Sequence, residues 1–511
     1  MKLFRLAFLL TVLLDLFSLF AYFNPAFGNI AFFVILFLMV VLSLENLAWG
    51  AVLVAAELIM GSFGYWFSLD FDGNRIPLRL GLFLILMSVT VFRVLQKRDG
   101  SFLKARAFHW YLPIFGVIVG ASLGGLIVWD NSFSEVFFDA NGYLFFALIF
   151  PFYFVFRNRA NFDLLWTVLG GVVLASLIKV LFLFYLFSHD YWIVAPETYK
   201  WIRDTRIGEI TQMGGDFFRI FLQSQFYHVA GFWILVSGTF SWIMGVPEHP
   251  LTRRNFILGM IFFSLFSASL VVSLSRSFWV GMAASGVVLV GIFLVFFRRR
   301  WEFIKKSVLL GLGVSALTCV ILVGILRFPW PVKTDPASLG ILKDRIEWKT
   351  EAAVASRWAL LPILRDKIAE HWILGRGFGT SVTYISSDPR VIESSPGGTG
   401  EYTTSAFEWG YLDIWLKAGL LGLLPFFAVL GWTIHCGWRR VSAIIEKYNR
   451  REVIIREDVF ALGLFLGVIS LAVIHAFTPY LNHPLGIGFL IIASLFLANG
   501  DKKIDECKFL C

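Results

Sequence analysis

The sequence contains few charged residues. Asp, Glu, Lys and Arg make up 15% of its 511 residues, whereas soluble globular domains average about 25%. The deficit is filled by apolar side chains, which reach 58% and include 56 phenylalanines and 19 tryptophans. Aromatic residues in such numbers are typical of lipid-facing and interfacial positions. We therefore predict a membrane protein and exclude an ordinary soluble domain.

Cysteine is also scarce. Cys319 and Cys436 lie in or beside apolar runs, and Cys507 and Cys511 lie in the C-terminal tail. Disulfide frameworks belong to short, cysteine-rich secreted chains. The sequence therefore implies no disulfide framework.

The excess of positive charge does not indicate nucleic-acid binding. The formal net charge is +9, but much of it falls in short loops between apolar runs, where Lys and Arg set membrane orientation. If the N-terminus is inside, every strongly basic short loop is inside. These loops contain Lys97-Arg98, Arg157 with Arg159, Arg253-Arg254, Arg298-Arg299-Arg300 and Arg439-Arg440. We expect a multi-pass protein whose two termini are both cytoplasmic.

Long apolar runs dominate the remaining sequence. About 20 apolar residues cross a bilayer as a helix, whereas a β-barrel would show short alternating segments. Candidate spans lie near residues 3–23, 30–44, 47–67, 78–95, 111–129, 142–156, 162–187, 217–244, 255–273, 277–297, 307–328, 411–435, 459–477 and 481–498. The predicted fold is an all-α polytopic membrane protein with about 14 transmembrane helices.

One long polar segment interrupts this pattern, and we call Pro329 to Trp409 the outer segment. Loops of this length are usually functional. The chain then divides into a transmembrane bundle (1–328), an extracytoplasmic, periplasmic loop or lid containing helices (329–409), and C-terminal helices with a cytoplasmic tail (410–511). Within the loop, Glu351 to Trp372 predicts an amphipathic helix. Its apolar face is expected to contain Trp358, Leu361, Ile368 and Trp372.

Two arginines near the outer ends of predicted spans are suited to an anionic ligand. Arg276 ends the sequence Ser273-Leu274-Ser275-Arg276, and Arg219 lies at the mouth of the eighth span. The guanidinium group stays charged and binds two oxygens at once. The plainer interpretations are that Arg276 snorkels to lipid headgroups and that Arg219 pairs locally with Asp204, Glu209 or Asp216.

Two further arginines belong to the outer segment. Arg357 precedes Trp358 on the predicted helix, where it could instead form a surface ion pair. Arg376 stands in Gly375-Arg376-Gly377, which could form an anion-binding nest or simply end the preceding helix.

A carboxylate stands where the outer segment returns to the membrane. Glu408, followed by Trp409, Tyr411 and Asp413, could accept a proton from a hydroxyl nucleophile. Alternatively, it only stabilises the positive end of the next helix. Around the last outer turn, His475, Asn482 and His483 are interpreted as polar lining, since no third metal ligand is evident.

The order of these motifs resembles the O-antigen ligase and O-antigen polymerase superfamily of bacterial envelope glycan enzymes. The resemblance covers roughly residues 215–495. It rests on Ser273 to Arg276, Arg357-Trp358, Trp372 to Gly379, Tyr411 to Gly422 and Asn482-His483-Pro484. Ligases of this family typically have a His-Asn pair where this chain has Glu408-Trp409, and the histidine activates the acceptor. The difference favours a polymerase-type member.

The resemblance implies metal-independent, inverting glycosyl transfer, without a cofactor, at the outer face of the bacterial cytoplasmic (inner) membrane. The donor would be a glycan on polyprenyl (undecaprenyl) diphosphate, and the acceptor a glycan or lipid-linked hydroxyl. Glu408, Arg276 and Arg357 would be catalytic. Substrate-binding roles would fall to Arg219, Arg376, Tyr411 and His483.

Two other functions remain open at this point. One is an O-antigen ligase that transfers glycan to lipid A core. The other, from a different class, is a flippase for lipid-linked oligosaccharides, although flippases tend to show internal repeats and midplane sites. No nucleic-acid partner is expected.

Overall fold

The computed structural model describes residues 1–71, 74–189, 194–214, 217–243, 252–296, 300–330, 352–386 and 389–499. Predictions that fall on Asp216, Arg298, Arg299, Glu351 and the tail residues 500–511 lie outside the described residues. The helices are α1 Lys2–Phe23, α2 Pro25–Glu45, α3 Leu47–Met60, α4 Leu78–Lys97, α5 Arg106–Leu123, α6 Phe133–Tyr143, α7 Ile149–Phe156, α8 Ala160–Ser188, α9 Ala195–Asp204, α10 Phe226–Ile243, α11 Arg253–Val272, α12 Arg276–Phe296, α13 Arg300–Leu326, α14 Ala352–Glu370, α15 Pro389–Ser394, α16 Gly410–Asn449, α17 Arg456–Phe477 and α18 Pro484–Ala498.

The described residues confirm an all-α polytopic membrane protein. Twelve of their helical segments are long and apolar enough to cross a bilayer, and α3 and α18 are shorter apolar helices. Together these segments correspond to the fourteen predicted runs. Where α2 and α3 almost meet, Asn46 separates them, because its side-chain oxygen accepts the amide of Ala48 at 3.0 Å and caps the new helix.

Three small antiparallel hairpins lie between the helices. They pair β1 Ser68–Phe71 with β2 Asn74–Pro77, β3 Gly208–Gly214 with β4 Phe217–Leu222, and β5 Val382–Ile385 with β6 Glu401–Thr404. The second hairpin corrects the predicted span 217–244, whose first six residues form β4. The Gln225 side chain accepts the amide of Leu222 at 3.0 Å, and helix α10 begins only after this cap.

The loops that contain Lys97-Arg98 and Arg157 with Arg159 contact each other and the start of α17 at one end of the bundle. Arg157 donates to Asp99 at 2.9 Å, and Arg159 pairs with Glu457. The opposite end of the bundle contains the three hairpins and the described parts of the outer segment. This arrangement agrees with the charge pattern from which the inside orientation was predicted.

The amphipathic helix of the outer segment is confirmed as α14, but its predicted apolar face is partly wrong. Trp358 and Trp372 are about half exposed, whereas Leu360, Leu364 and Ile368 are buried against Val382, Phe407 and Leu416. The buried face follows the i, i+4, i+8 positions that contact α16 and β5, rather than the largest aromatic side chains. Pro362 lies inside the helix without ending it.

A break in α16 joins the outer segment to the membrane bundle. Gly419 has φ +67° and ψ −174°, so the helix is interrupted there. The released amides of Leu420 and Leu421 donate to the carbonyl oxygens of Trp372 and Ile373 at 2.8 and 3.2 Å. In the other direction, the amides of Arg376 and Gly377 donate to Leu416 and Lys417, each at 2.8 Å. The chain from Trp372 to Gly377, which we call the glycine turn, therefore supplies hydrogen-bond partners for the backbone groups that the break releases.

Replacing Gly419 with alanine is expected to destabilise the protein by about 3 kcal/mol, because this φ and ψ combination is essentially restricted to glycine. The new Cβ would also collide with the carbonyl oxygen of Ile373. Thermal unfolding in detergent measures the effect. Gly431→Ala is the matched control on the same helix, since nothing lies within 4 Å of its Cβ position. Equal melting temperatures for the two variants would contradict this account of the break.

Candidate functional site

A cavity of about 1050 Å³ opens at the end of the bundle where α4, α12, α16 and α18 begin. Arg219, Arg276, Glu408 and His483 all line it, and we call it the arginine cavity. The helix N-termini point the positive ends of their dipoles toward it, which favours an anion. Another lining residue, Arg79, is buried against Glu57, with Nε 2.7 Å from Oε2. Its charge is therefore already compensated.

Arg219 lies on β4 and is linked to the Ser-x-Ser-Arg motif. Its Nε donates to the carbonyl oxygen of Ser273 at 3.0 Å, and its guanidinium carbon lies 4.8 Å from the centre of the Phe221 ring. Of the predicted local partners, Glu209 pairs with it at 3.5 Å. Since the Glu209 side chain is 63% exposed, this pair is weak.

Arg276 is the first residue of α12, directly after a strained turn. Leu274 has φ +46°, an uncommon backbone conformation for a residue with a side chain. The turn is held by the amide of Ser275, which donates to Ser273 Oγ at 3.2 Å. Thr478, from the last outer turn, donates to Ser277 Oγ at 3.0 Å. Backbone strain at a cavity wall is typical of a functional site, and here it brings Arg276 close to the segment that binds Arg219.

Glu408 lies between β6 and the start of α16, exposed toward the arginine cavity. Its neighbour Trp409 contacts Trp358 edge-on, with ring centres 5.8 Å apart, and packs against Phe477 on the other side. These aromatic contacts fix the chain that carries Glu408 at the wall of the cavity. The two arginines and the carboxylate, distant in sequence, therefore line one cavity.

Arg357 lies in α14, but its side chain is outside the described residues. The next residue, Trp358, lines the arginine cavity. The helix that contains Arg357 therefore reaches the cavity, and the role of Arg357 stays a prediction.

Two predicted substrate-binding residues are not among the residues that line the cavity. Arg376 pairs with Glu370, and its guanidinium carbon lies 5.2 Å from the centre of the Trp129 ring. Tyr411 donates its hydroxyl to the carbonyl oxygen of Ala472 at 2.8 Å and packs against His475. Both are used in internal contacts in the structure.

The backbone around Arg376 does not form the anion-binding nest that was one of its two interpretations. The amides of Arg376 and Gly377 donate to α16, the amide of Phe378 donates to Ala121 at 2.9 Å, and that of Gly379 donates to Asp139 Oδ2 at 2.7 Å. Because protein acceptors use all four, this backbone has none left for an anion. The glycine turn joins the outer segment to the bundle.

His483 lines the cavity as a neutral side chain. Burial lowers the pKa of its imidazole well below the usual value, and the charge of Arg79 lowers it further. Its Nδ1 accepts the amide of Leu485 at 3.3 Å, which puts the ring proton on Nε2. It can therefore offer a hydrogen bond, but no fixed positive charge, at neutral pH. The adjacent Asn482 donates to Asp413.

Sequence reasoning missed a buried group of charges beside Glu408. Lys417 Nζ lies 2.8 Å from Asp139 Oδ1 and 2.8 Å from Asp413 Oδ1. A usable signal was present, because Lys417 falls within the predicted span 411–435, and an ionisable residue in a span is a functional candidate by default. Asp139 carried no such signal, since only folding brings α6 next to α16.

The region that contains most of these residues matches a known family. Residues 261–427 match the O-antigen ligase family model. This match confirms the resemblance to the O-antigen ligase and polymerase superfamily that the motif order predicted. The O-antigen ligase region covers about a third of the chain and includes Arg276, Arg357 and Glu408, whereas Arg219 and His483 lie outside it. No curated protein matches this chain.

The match supports a membrane enzyme of glycosyltransferase type that performs O-antigen ligase or polymerase-like glycan transfer. About a third of the residues that line the arginine cavity belong to the O-antigen ligase region, and the others come mainly from α4, α6, β3, β4 and the last outer turn. Lipid-linked glycans and membrane lipid are the partners that this family suggests.

Proposed function

We propose that the chain transfers a glycan from polyprenyl diphosphate to an acceptor hydroxyl at the outer face of the cytoplasmic membrane, as a polymerase of O-antigen or exopolysaccharide. The observation that carries this proposal is the arginine cavity, where Arg219 and Arg276 share a wall and Glu408 faces the same space. In the proposed membrane orientation, both termini are cytoplasmic and the outer segment is periplasmic.

Charge is the main support for a diphosphate ligand. Breaking the bond between the sugar and the diphosphate develops negative charge on the leaving group. Fixed guanidinium groups and helix N-termini stabilise such charge without reorganising. Arg219 is held by Ser273 and Phe221, so its side chain is positioned before the substrate binds, and the backbone of Arg276 is fixed as the first residue of α12.

The reaction is a single displacement at the anomeric carbon. Glu408 accepts the proton of the acceptor hydroxyl, and the resulting oxygen nucleophile attacks the anomeric carbon opposite the diphosphate. The new glycosidic bond forms as the carbon–oxygen bond to the diphosphate breaks. Polyprenyl diphosphate leaves with the electron pair, beside Arg219 and Arg276. Inversion at the anomeric carbon follows from attack on the opposite face.

The identity of the residues at 408 and 409 favours a polymerase over a ligase. The family's ligases are expected to carry a histidine and an asparagine there, whereas this chain has a carboxylate and a tryptophan. Trp409 has an indole where an asparagine would have an amide, so it cannot supply the same hydrogen bonds. The indole instead packs between Trp358 and Phe477. Transfer to lipid A core remains the second candidate.

Purified protein in lipid nanodiscs, supplied with a polyprenyl-diphosphate-linked oligosaccharide, tests the proposal. A polymerase forms a ladder of longer lipid-linked glycans and releases polyprenyl diphosphate. A ligase forms new product only when lipid A core is added. Intact substrate under both conditions, with protein that is folded by melting temperature, would contradict glycan transfer. In cells, loss of the enzyme should leave short lipid-linked units at the outer face, whereas loss of a flippase would leave them at the inner face.

A further inference from the structure

A group of three buried charges lies directly below the chain that carries Glu408. The side chains of Lys417, Asp139 and Asp413 are only 2%, 6% and 7% exposed. Burying three charges costs several kcal/mol per ion unless each is closely paired. These three charges are paired with one another, and their other contacts reach separate parts of the chain.

Lys417 binds the segment that leads to Glu408. Besides the two carboxylates, its Nζ donates to the carbonyl oxygen of Ser405 at 2.7 Å and lies 5.2 Å from the centre of the Phe407 ring. The ammonium group donates hydrogen bonds to Asp139 and Ser405 and forms an ion pair with Asp413. The lysine thus contacts the third and the first residue before Glu408.

Asp139 binds the outer segment on the other side of the β5–β6 hairpin. Its Oδ2 accepts the amide of Gly379 at 2.7 Å, and Gly379 precedes the β5–β6 hairpin, whereas Ser405 follows it. Asp413, on the first turn of α16, accepts a hydrogen bond from Asn482. One buried charge group therefore connects both ends of the hairpin, the start of α16 and the last outer turn.

We propose that Lys417 is a positioning residue for Glu408, fixing the carboxylate at the wall of the arginine cavity through Ser405 and Phe407. This role rests on the proposed function, in which Glu408 takes the proton of the acceptor. Lys417 lines the arginine cavity, but its side chain is only 2% exposed, so it acts through the segment that it binds and not through contact with the substrate. A shift of about 1 Å in a group that performs proton transfer can lower the rate about 100-fold.

Kinetics of Lys417→Met give the first test. We expect kcat to fall about 100-fold with KM changed less than about threefold. Lys417→Arg, which keeps a charged donor, should recover part of the rate. The matched control is Lys179→Met, because the Lys179 side chain is only 9% exposed, pairs with Asp15 at 2.8 Å and is not among the residues that line the cavity. Equal losses in the two lysine variants would show that any buried lysine matters and would overturn the proposal.

The double variant with Glu408→Gln distinguishes positioning from general stability. If Lys417 acts through Glu408, then Lys417→Met causes little further loss in the Glu408→Gln background, so the two effects are far from additive. Fully additive losses would overturn the positioning role. A fully active Glu408→Gln enzyme would instead contradict the proposed function, so the two failures are distinguishable.

A readout that does not depend on activity completes the test. In a chain whose four cysteines are replaced by serine, Glu408→Cys is labelled with a membrane-impermeant maleimide, with and without Lys417→Met. We expect the labelling rate to change at least about fivefold when Lys417→Met removes the hydrogen bond to Ser405. An unchanged rate would overturn the proposal. If Lys417→Met does not fold, we use the triple variant that combines it with Asp139→Asn and Asp413→Asn. This variant removes all three buried charges together, and it also removes the hydrogen bond to Ser405.

Discussion

Arg276→Ala is expected to lower kcat/KM for glycan transfer by about 100- to 1,000-fold, the usual loss when one fixed donor to a developing anion is removed. Arg276 is the first residue of α12, where the helix dipole adds to its charge. The strained backbone at Leu274 and the serine contacts hold the turn that precedes it. Alanine leaves this turn intact but removes the charge from the leaving diphosphate. The measurement is the rate of polyprenyl diphosphate release in nanodiscs.

Two further variants make the Arg276 result specific. Arg276→Lys keeps one charge but loses the two-oxygen geometry, so we expect an intermediate rate. Arg365→Ala is the matched control, because this arginine is also in the O-antigen ligase region, its side chain is 78% exposed and it pairs with Asp366. Arg365→Ala should keep the parent rate. Unchanged activity of folded Arg276→Ala would exclude a role in stabilising the leaving group.

Glu408→Gln is expected to lower kcat by about 100- to 10,000-fold, because glutamine fills the same space but accepts no proton. The loss should appear in kcat rather than KM, since Trp358 and Trp409 still form the wall of the cavity. Single-turnover rates with a saturating lipid-linked acceptor provide the measurement. Glu408→His should recover part of the activity, as an imidazole can also accept the proton.

The control for Glu408 is another carboxylate of the outer segment. Glu401 lies on β6, is exposed and is not among the residues that line the arginine cavity. Glu401→Gln should therefore leave the rate unchanged. If Glu408→Gln matched Glu401→Gln, acceptor activation would have to come from a different group, and the assignment of Glu408 as the base would be wrong.

Much of the fold could be predicted from the sequence because each membrane span depends on one continuous stretch of residues. A bilayer requires about 20 consecutive apolar residues whose backbone is hydrogen-bonded within the helix, and each predicted run has its counterpart in the described helices. The predicted start of the span at 217–244 was wrong for a local reason. Its first residues, Phe217 to Leu222, are apolar enough for a span, but they pair as a strand with Gly208–Gly214.

The candidate site was predictable only as separate parts. Arg219, Arg276 and Glu408 stood out because charges at the ends of spans are costly and usually functional. Nothing local distinguished them from Arg376, whose glycine-rich surroundings gave an equally good motif. The difference is in the partners: Arg376 pairs with Glu370 and contacts Trp129, whereas the other three side chains line one cavity.

The sequence by itself determined the membrane class, the positions of the spans and the resemblance to the O-antigen ligase and polymerase superfamily, because hydropathy and motif order are read along the chain. Only the tertiary structure decided which polar residues meet. Asp139 and Lys417 are 278 positions apart, and the turn at Gly375 finds its partners at the break of Gly419. Such pairings depend on how helices pack against one another, and a buried ion or a released backbone amide is satisfied by whichever group the fold brings beside it.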